Sequence, residues 1–187
     1  MSFPSLLGLS GTFASGKDTL ANYLAENFNF HHVSTGDIVR QIALQKYGNK
    51  ERPTLRQTAD ELRHQNGSGA LVVEALKTPR PLVISGLRSL GEAKAVKAAG
   101  GILVFVGADD RVRYERMRSR HRDDETYLTF EQFLENEKSE RRGDPADDAA
   151  FNIDLIAQMA DLRLDNSGDL DEFLRGAVEK LTKFNQK

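Results

Sequence analysis

Gly11-Thr12-Phe13-Ala14-Ser15-Gly16-Lys17 sets two glycines five residues apart, with a lysine directly after the second. The segment lies between the apolar run Leu6-Leu7-Gly8-Leu9 and a helix-like pattern whose buried face is marked by Leu20, Tyr23 and Leu24. Glycine lets the backbone turn tightly against a ligand, and a helix starting at the end of the loop offers unpaired N–H groups to an anion. The lysine adds positive charge for β- and γ-phosphates. String and context together read as a phosphate-cradling P-loop. Gly11, Ala14, Ser15, Gly16, Lys17, Asp18 and Thr19 are the expected nucleotide-binding residues, with ATP as the expected ligand.

The residue after Lys17 departs from the common pattern. Asp18 stands where Ser or Thr ordinarily gives a hydroxyl to Mg²⁺, and Thr19 comes one place later. Without a cation, a carboxylate there repels the nucleotide's phosphates. Either Asp18 ligates Mg²⁺, directly or through water, or it faces sideways and Thr19 supplies a hydroxyl nearby. Both are candidate metal ligands.

Beyond the loop, strand-like and helix-like segments alternate. Residues 5–10, 31–33, 82–84, 102–106 and 162–165 read as strands. Helices are expected over 16–27, 37–47, from Pro53, over 70–76, 90–99, 112–120, from Thr129 and over 170–181. The run Ile102-Leu103-Val104-Phe105-Val106 has the continuous apolar character of a strand buried on both faces. Alternation of this kind predicts an α/β fold, a parallel five-stranded sheet with helices on both sides. At 187 residues the chain suits one domain, 1–187, with a helical region at 35–79 and a mobile excursion at 117–142. Its 26 basic and 28 acidic side chains give a net charge of -2, which argues against a general nucleic-acid or anionic-membrane surface. No cysteine is present, which excludes disulfides and thiolate catalysis. With no long apolar run and no basic targeting segment before the first strand, a soluble cytoplasmic protein is expected, either a monomer or a homodimer.

Sites in parallel sheets gather beyond the strand C-termini. His32-Val33-Ser34-Thr35-Gly36-Asp37-Ile38-Val39-Arg40 follows the second strand and can face the same crevice as the loop, so Ser34, Thr35, Gly36, Asp37 and Arg40 are candidate substrate-binding residues. Helix capping plus a surface arginine would account for the same residues. Arg88, after Ile84-Ser85-Gly86-Leu87, would project its planar donor fork from the end of the third strand; pairing with Glu92 one turn on is the structural alternative. Arg111, Arg113, Arg116, Arg118, Arg120 and Arg122 crowd one region, and the charged break His121-Arg122-Asp123-Asp124-Glu125 has the composition of a cover that closes over a nucleotide. Arg116, Arg120 and Arg142 are the leading lid candidates, ahead of Arg111 and Arg118, with pairing to Glu135, Glu137 and Glu140 as the alternative. The four histidines lack metal-ligand spacing, and Asp144-Pro145-Ala146-Asp147-Asp148 reads as an acidic helix start. Asp60, Arg63 and Gln65 are either acceptor-pocket residues or members of a wet helix.

These segments resemble the P-loop nucleoside monophosphate kinases, especially the adenylate-kinase-like and deoxynucleoside-monophosphate-kinase-like branches. Ser34-Thr35-Gly36-Asp37-Ile38-Val39-Arg40 is similar to their monophosphate-binding segment, and Gly86-Leu87-Arg88 to their later glycine-to-arginine element without its usual proline. Arg116 through Arg122 resemble the start of a lid, and Asp165-Asn166-Ser167-Gly168 the turn that borders adenine. Gly16-Lys17-Asp18-Thr19 resembles the variant loop of some bacteriophage deoxynucleoside monophosphate kinases and animal phosphomevalonate kinases. The resemblance implies a three-layer α/β/α P-loop fold with monophosphate-binding helices and a short lid. It also implies transfer of the ATP γ-phosphoryl group to a nucleoside or deoxynucleoside monophosphate with Mg²⁺. Lys17, Arg88, Arg116, Arg120 and Arg142 would be the catalytic cations and a small-molecule nucleotide the partner. Relatives commonly carry Asp at the position of Ser85, for which Asp109 and Asp110 are the candidate substitutes. Dephospho-CoA kinases share the early glycine-rich run, so dephospho-CoA or another small acceptor is an alternative. A nucleotide-dependent binding or assembly protein is the non-enzymatic one.

Overall fold

The five expected segments form strands β1 (Leu6–Gly11), β2 (His31–Ser34), β3 (Leu82–Leu87), β4 (Ile102–Gly107) and β5 (Leu162–Asp165). They make one parallel sheet in the order β2-β3-β1-β4-β5. The structure is a computed structural model that describes residues 2–119 and 128–184. Among the described residues the helices are α1 (Lys17–Phe28), α2 (Thr35–Tyr47), α3 (Arg52–Asn66), α4 (Ala70–Ala75), α5 (Leu90–Ala98), α6 (Asp110–Ser119), α7 (Phe130–Arg141), α8 (Ile153–Met159) and α9 (Leu170–Phe184). The expected Arg120, and residues 120–127 of the expected lid at 117–142, lie outside the described residues.

Side chains alternate across a strand, and the sheet uses both faces. Leu7, Leu9, Val83, Val104 and Val106 turn to one side, where α1 brings Leu20 and Leu24 and α9 brings Phe173, Ala177 and Leu181. Leu6, Leu82, Ile84 and Leu103 turn to the other, against Val72 of α4, Ala93 and Val96 of α5 and Ile156 of α8. Burial on both faces explains why these strands read as continuous apolar runs. The outcome is the expected α/β/α sandwich. A small third cluster of Val39, Ala59 and Leu71 ties α2, α3 and α4 together beside the sheet.

Helix starts follow their capping chemistry. Thr129 and Gln132 form the expected capping box for α7. Ser89 and Glu92 form a second one for α5, where Ser89 is fully buried. Ser89→Ala strands a buried N–H of Glu92, so it should cost about 1 kcal/mol. At about 2–4 °C per kcal/mol for a chain of this size, the unfolding midpoint should fall by that amount.

Helix α8 was not expected from sequence. Residues 144–148 form turns rather than the expected helix start: Asp144 and Asp147 accept from the N–H of Ala146 and Ala149, and the Asn152 side chain caps α8 by accepting from Leu155 N–H.

Candidate nucleotide site

The loop between β1 and α1 depends on its glycines. A Cβ on Gly11 would lie 2.2 Å from the Val106 carbonyl oxygen, and one on Gly16, which takes φ 93°, would lie 2.2 Å from the Asn166 side-chain nitrogen. Neither position admits a side chain. The loop is held from outside by two residues. Asn166, in the turn after β5, donates from Nδ2 to the Ser15 carbonyl at 2.9 Å, and Arg113 of α6 donates to the Phe13 carbonyl at 3.0 Å. Ser15 Oγ is buried without a hydrogen-bond partner among the described residues. An orphaned hydroxyl, loop amides at a helix start and a Lys17 side chain only 11% exposed make a receptacle for an anionic chain. These residues fit a nucleotide's phosphates.

One turn of α1 separates Asp18 from Asn22, so both side chains share a helical face. From there a hydrogen-bonded chain runs across the sheet and returns. Ser85 Oγ of β3 lies 2.7 Å from Asp18 Oδ1, His32 Nε2 of β2 lies 2.9 Å from Ser85 Oγ, and His32 Nδ1 lies 2.8 Å from the Asn22 side-chain amide. A carboxylate only accepts, so Ser85 donates its single proton to Asp18 and receives the Nε2–H of His32. Burial lowers the imidazole pKa, opposed by the charges of Asp18 and Asp37. Its Nδ1 faces Asn22 Oδ1, which holds the other edge of the ring. Asp18 and Ser85 offer an oxygen donor set that suits a hard divalent cation such as Mg²⁺, whose remaining ligands come from water and phosphate. Thr19 is half-buried. Asp109 and Asp110, the expected substitutes for a strand-end acid, are spent on α6: Asp109 accepts from Arg111 N–H and Asp110 pairs with Arg113.

The segment 34–40 and the segment 86–88 meet at the same sheet end. Ser34 and Ser85 are paired across β2 and β3, and Thr35 donates to the Gly86 carbonyl at 2.9 Å. Thr35 is thus a bolt between them rather than a cap, and Ser34, the N-cap, makes no side-chain capping bond. Arg40 donates to Asp37 Oδ1 at 3.0 and 2.5 Å, with its side chain 46% exposed, so its guanidinium is held at the surface. Glu92, expected as the partner of the Arg88 side chain, receives the Arg88 and Ser89 backbone N–H groups and also feels the Arg88 charge. Burial pushes the Glu92 carboxyl up, opposed by those hydrogen bonds and by Arg63. The guanidinium of Arg88 faces the Phe151 ring at 5.5 Å, and Arg63 faces the same ring at 5.3 Å.

Arg63 is not on a wet helix face: its side chain is 8% exposed, 3.6 Å from Glu92, and its Nε has no partner among the described residues. Asp60 and Gln65 instead border an open hollow of about 710 Å³ along α3, with Arg56, Gln57, Glu61 and His64. Lys46, Tyr47 and Gln57 hold the Glu61 carboxyl down at about 2, tying α2 to α3 beside this hollow.

Of the lid arginines, Arg116 reaches Asn166 Oδ1 at 3.4 Å, which places it beside the loop. Arg142 is 83% exposed and bonds Asp154 with Arg141, while the expected arginine–glutamate pairing is made by Arg113 with Glu137. Arg113, which sequence reading passed over, is fully buried, and its partners Glu137 and Asp110 outweigh burial and hold it charged.

Comparisons with known proteins agree with this architecture. The model of the AAA domain family matches residues 7–143. A UPF0200 protein of Pyrobaculum aerophilum is 34% identical over 148 residues, covering 76% of this chain and 81% of the relative. One of Thermococcus kodakarensis is 31% identical over 184 residues, covering 92% and 94%. Among solved structures, shikimate kinase from Acinetobacter baumannii in complex with shikimate superimposes with a TM-score of 0.64 at 16% identity, covering 98% of this chain and 96% of that one. A gluconokinase from Sinorhizobium meliloti gives 0.59 at 19% identity, covering 98% and 95%. At these identities the structural matches speak for the fold alone. The family match and the identity to its relatives place the chain: it belongs to the AAA domain family and to the UPF0200 protein family.

Proposed function

We propose that this protein transfers the γ-phosphoryl group of ATP to a nucleoside or deoxynucleoside monophosphate, giving ADP and the corresponding diphosphate. The observation that carries this reading is the seam of hydrogen bonds joining α1, β3 and the start of α2, Asp18 to Ser85 and Thr35 to Gly86, which sets the loop helix beside both arginine-bearing segments. Lys17 and the loop amides hold the donor phosphates, while Arg40 and Arg88 place the acceptor phosphate. An acceptor phosphate oxygen attacks the γ-phosphorus, and the bond to the bridging oxygen of ADP breaks. No protein nucleophile takes part, and catalysis consists of positioning and charge stabilisation. Mg²⁺, held through Asp18 and its neighbours, would neutralise charge on the donor phosphates. Arg116 beside the loop, with Arg120 and Arg142, is proposed to oppose charge on the transferring group and to exclude water as the lid closes.

The names of the similar solved structures, shikimate kinase and gluconokinase, favour a second reading in which the acceptor is a small alcohol; dephospho-CoA belongs with it. An Mg-ATP assay across common nucleoside and deoxynucleoside monophosphates, dephospho-CoA, shikimate and gluconate, reading phosphorylated product directly, separates these acceptors. Slow hydrolysis at one rate with every acceptor would reject both kinase readings and leave a nucleotide-dependent binding protein. In the same assay Arg40→Ala should raise the KM of the acceptor by about 10–100-fold, the worth of one or two charge-assisted hydrogen bonds, with little change in the KM of ATP.

A further inference from the structure

P-loop sites ordinarily turn two unlike oxygens toward Mg²⁺: a hydroxyl from the residue after the loop lysine and a carboxylate from a neighbouring strand. Here the residue after Lys17 is the acid, Asp18, and the residue across from it on β3 is the alcohol, Ser85. Each taken alone is a defect. Together, 2.7 Å apart and hydrogen-bonded, they keep one carboxylate and one hydroxyl with the carriers exchanged.

We propose that Asp18 and Ser85 are a reciprocally exchanged metal pair, in which the carboxylate that serves the nucleotide's Mg²⁺ comes from α1 and the hydroxyl from β3, and that His32 is a positioning residue for the exchanged hydroxyl. Three facts carry the inference. First, Asp18 does not face sideways: its Oδ1 meets β3, and its Oδ2 lies 3.9 Å from Lys17 Nζ, on the lysine side of the loop. Second, Ser85 is fully buried, so its hydroxyl cannot wander, and the proton it gives Asp18 is set by the Nε2–H it receives from His32. Third, the chain closes on Asn22, one turn along α1 from Asp18, so helix and strands are registered at both ends. A chance alcohol at the end of β3 would need none of this support.

The inference rests on the nucleotide-binding half of the proposed function and not on the acceptor. Its test therefore reads binding: the affinity for ADP with and without Mg²⁺ by calorimetry, and Mn²⁺ bound in the presence of ADP by electron paramagnetic resonance. In the native protein Mg²⁺ should tighten ADP binding. Asp18→Asn, which keeps the shape and an acceptor for Ser85, should lose about 10–100-fold of that tightening. Asp18→Ser should lose it as well, leaving two hydroxyls. Ser85→Asp sets two carboxylates within hydrogen-bonding distance and should also bind poorly. The double variant Asp18→Ser/Ser85→Asp restores the ordinary order of the pair and should recover the metal dependence that each single change loses. His32→Ala should weaken it by about tenfold, and His32→Gln, whose amide can donate to Ser85, should rescue part of the loss. Thermal unfolding without ligand shows whether each variant is folded, and Asp18→Asn carries the test if the bulkier changes are not.

Undiminished metal dependence in Asp18→Asn, or a folded double variant no better than its singles, would overturn the exchange. A native protein that binds ADP equally with and without Mg²⁺ would overturn it too, leaving the nucleotide site standing. One that binds no ADP would overturn both, and an active binder with an unexpected acceptor would leave the pair untouched.

Discussion

Lys17→Ala is expected to lower turnover by about 10²–10³-fold with every acceptor the protein uses, because it removes a cation from where charge develops on the donor phosphates. The loss should be large for a physical reason visible around the side chain. Lys17 is 11% exposed at the first turn of α1, so its charge acts in a site that holds little water, where electrostatic interactions are stronger than at a surface. The fold should survive, since the loop's shape depends on Gly11, Gly16 and the bonds from Asn166 and Arg113 rather than on the lysine. Steady-state kinetics with saturating acceptor, alongside far-ultraviolet circular dichroism, check both halves. The contrast with Arg40→Ala matters most. Loss of Lys17 should appear in kcat for all acceptors, and loss of Arg40 in the KM of the acceptor; equal activity in both variants would reject the assigned roles.

Much of the fold was legible in the sequence because the sheet is buried on both sides. Runs such as Leu82-Val83-Ile84 and Ile102 to Val106 have no polar face to blur the pattern, and the central strands β3 and β4 fall where those runs lie. Capping chemistry located α7 through Thr129 and Gln132. Helix α8 escaped for the opposite reason. It is seven residues long, capped by an asparagine whose side chain also donates to the Gly143 carbonyl, and it is fixed by packing Ile156 under the sheet, a tertiary cause that a short local pattern does not show.

The candidate site was legible where backbone geometry imposes residue types and illegible where side chains answer one another across the fold. The loop glycines and Lys17 form a contiguous string that the phosphate chemistry dictates. Asp18 and Ser85, by contrast, are 67 residues apart and look like two separate departures until β3 sets them side by side. His32 lacks metal-ligand spacing in the sequence, yet an alternating strand turns it inward toward Ser85 while exposed His31 faces away. Arg63 had no sequence signal separating it from its helix neighbours. Its burial comes from Glu92 and Phe151, contributed by distant parts of the chain.

The arginine that sequence reading passed over should give the largest change in stability. Arg113 has an acceptor for all five of its guanidinium N–H groups: Nε donates to the Ala108 carbonyl, Nη1 to the Phe13 carbonyl and Glu137, and Nη2 to Asp110 and Glu137. Arg113 is 1% exposed and Glu137 7%, so neither charge has water to fall back on. Glu137→Ala leaves a buried cation with two donors unmet and should cost about 3–5 kcal/mol. At about 2–4 °C per kcal/mol, the unfolding midpoint should fall by about 6–20 °C. The double variant Arg113→Met/Glu137→Leu removes both charges and fills the space with apolar groups, so it should lose much less than the two single changes combined. Stability and ligand binding should then part company. The same guanidinium fastens the Phe13 carbonyl of the loop to α6 and α7, the helices on either side of residues 120–127, and a methionine cannot. A double variant that regains its unfolding midpoint but binds ADP more weakly than the native protein would show that Arg113 shapes the loop. Full recovery of both would reduce it to a buried ion pair that holds two helices together.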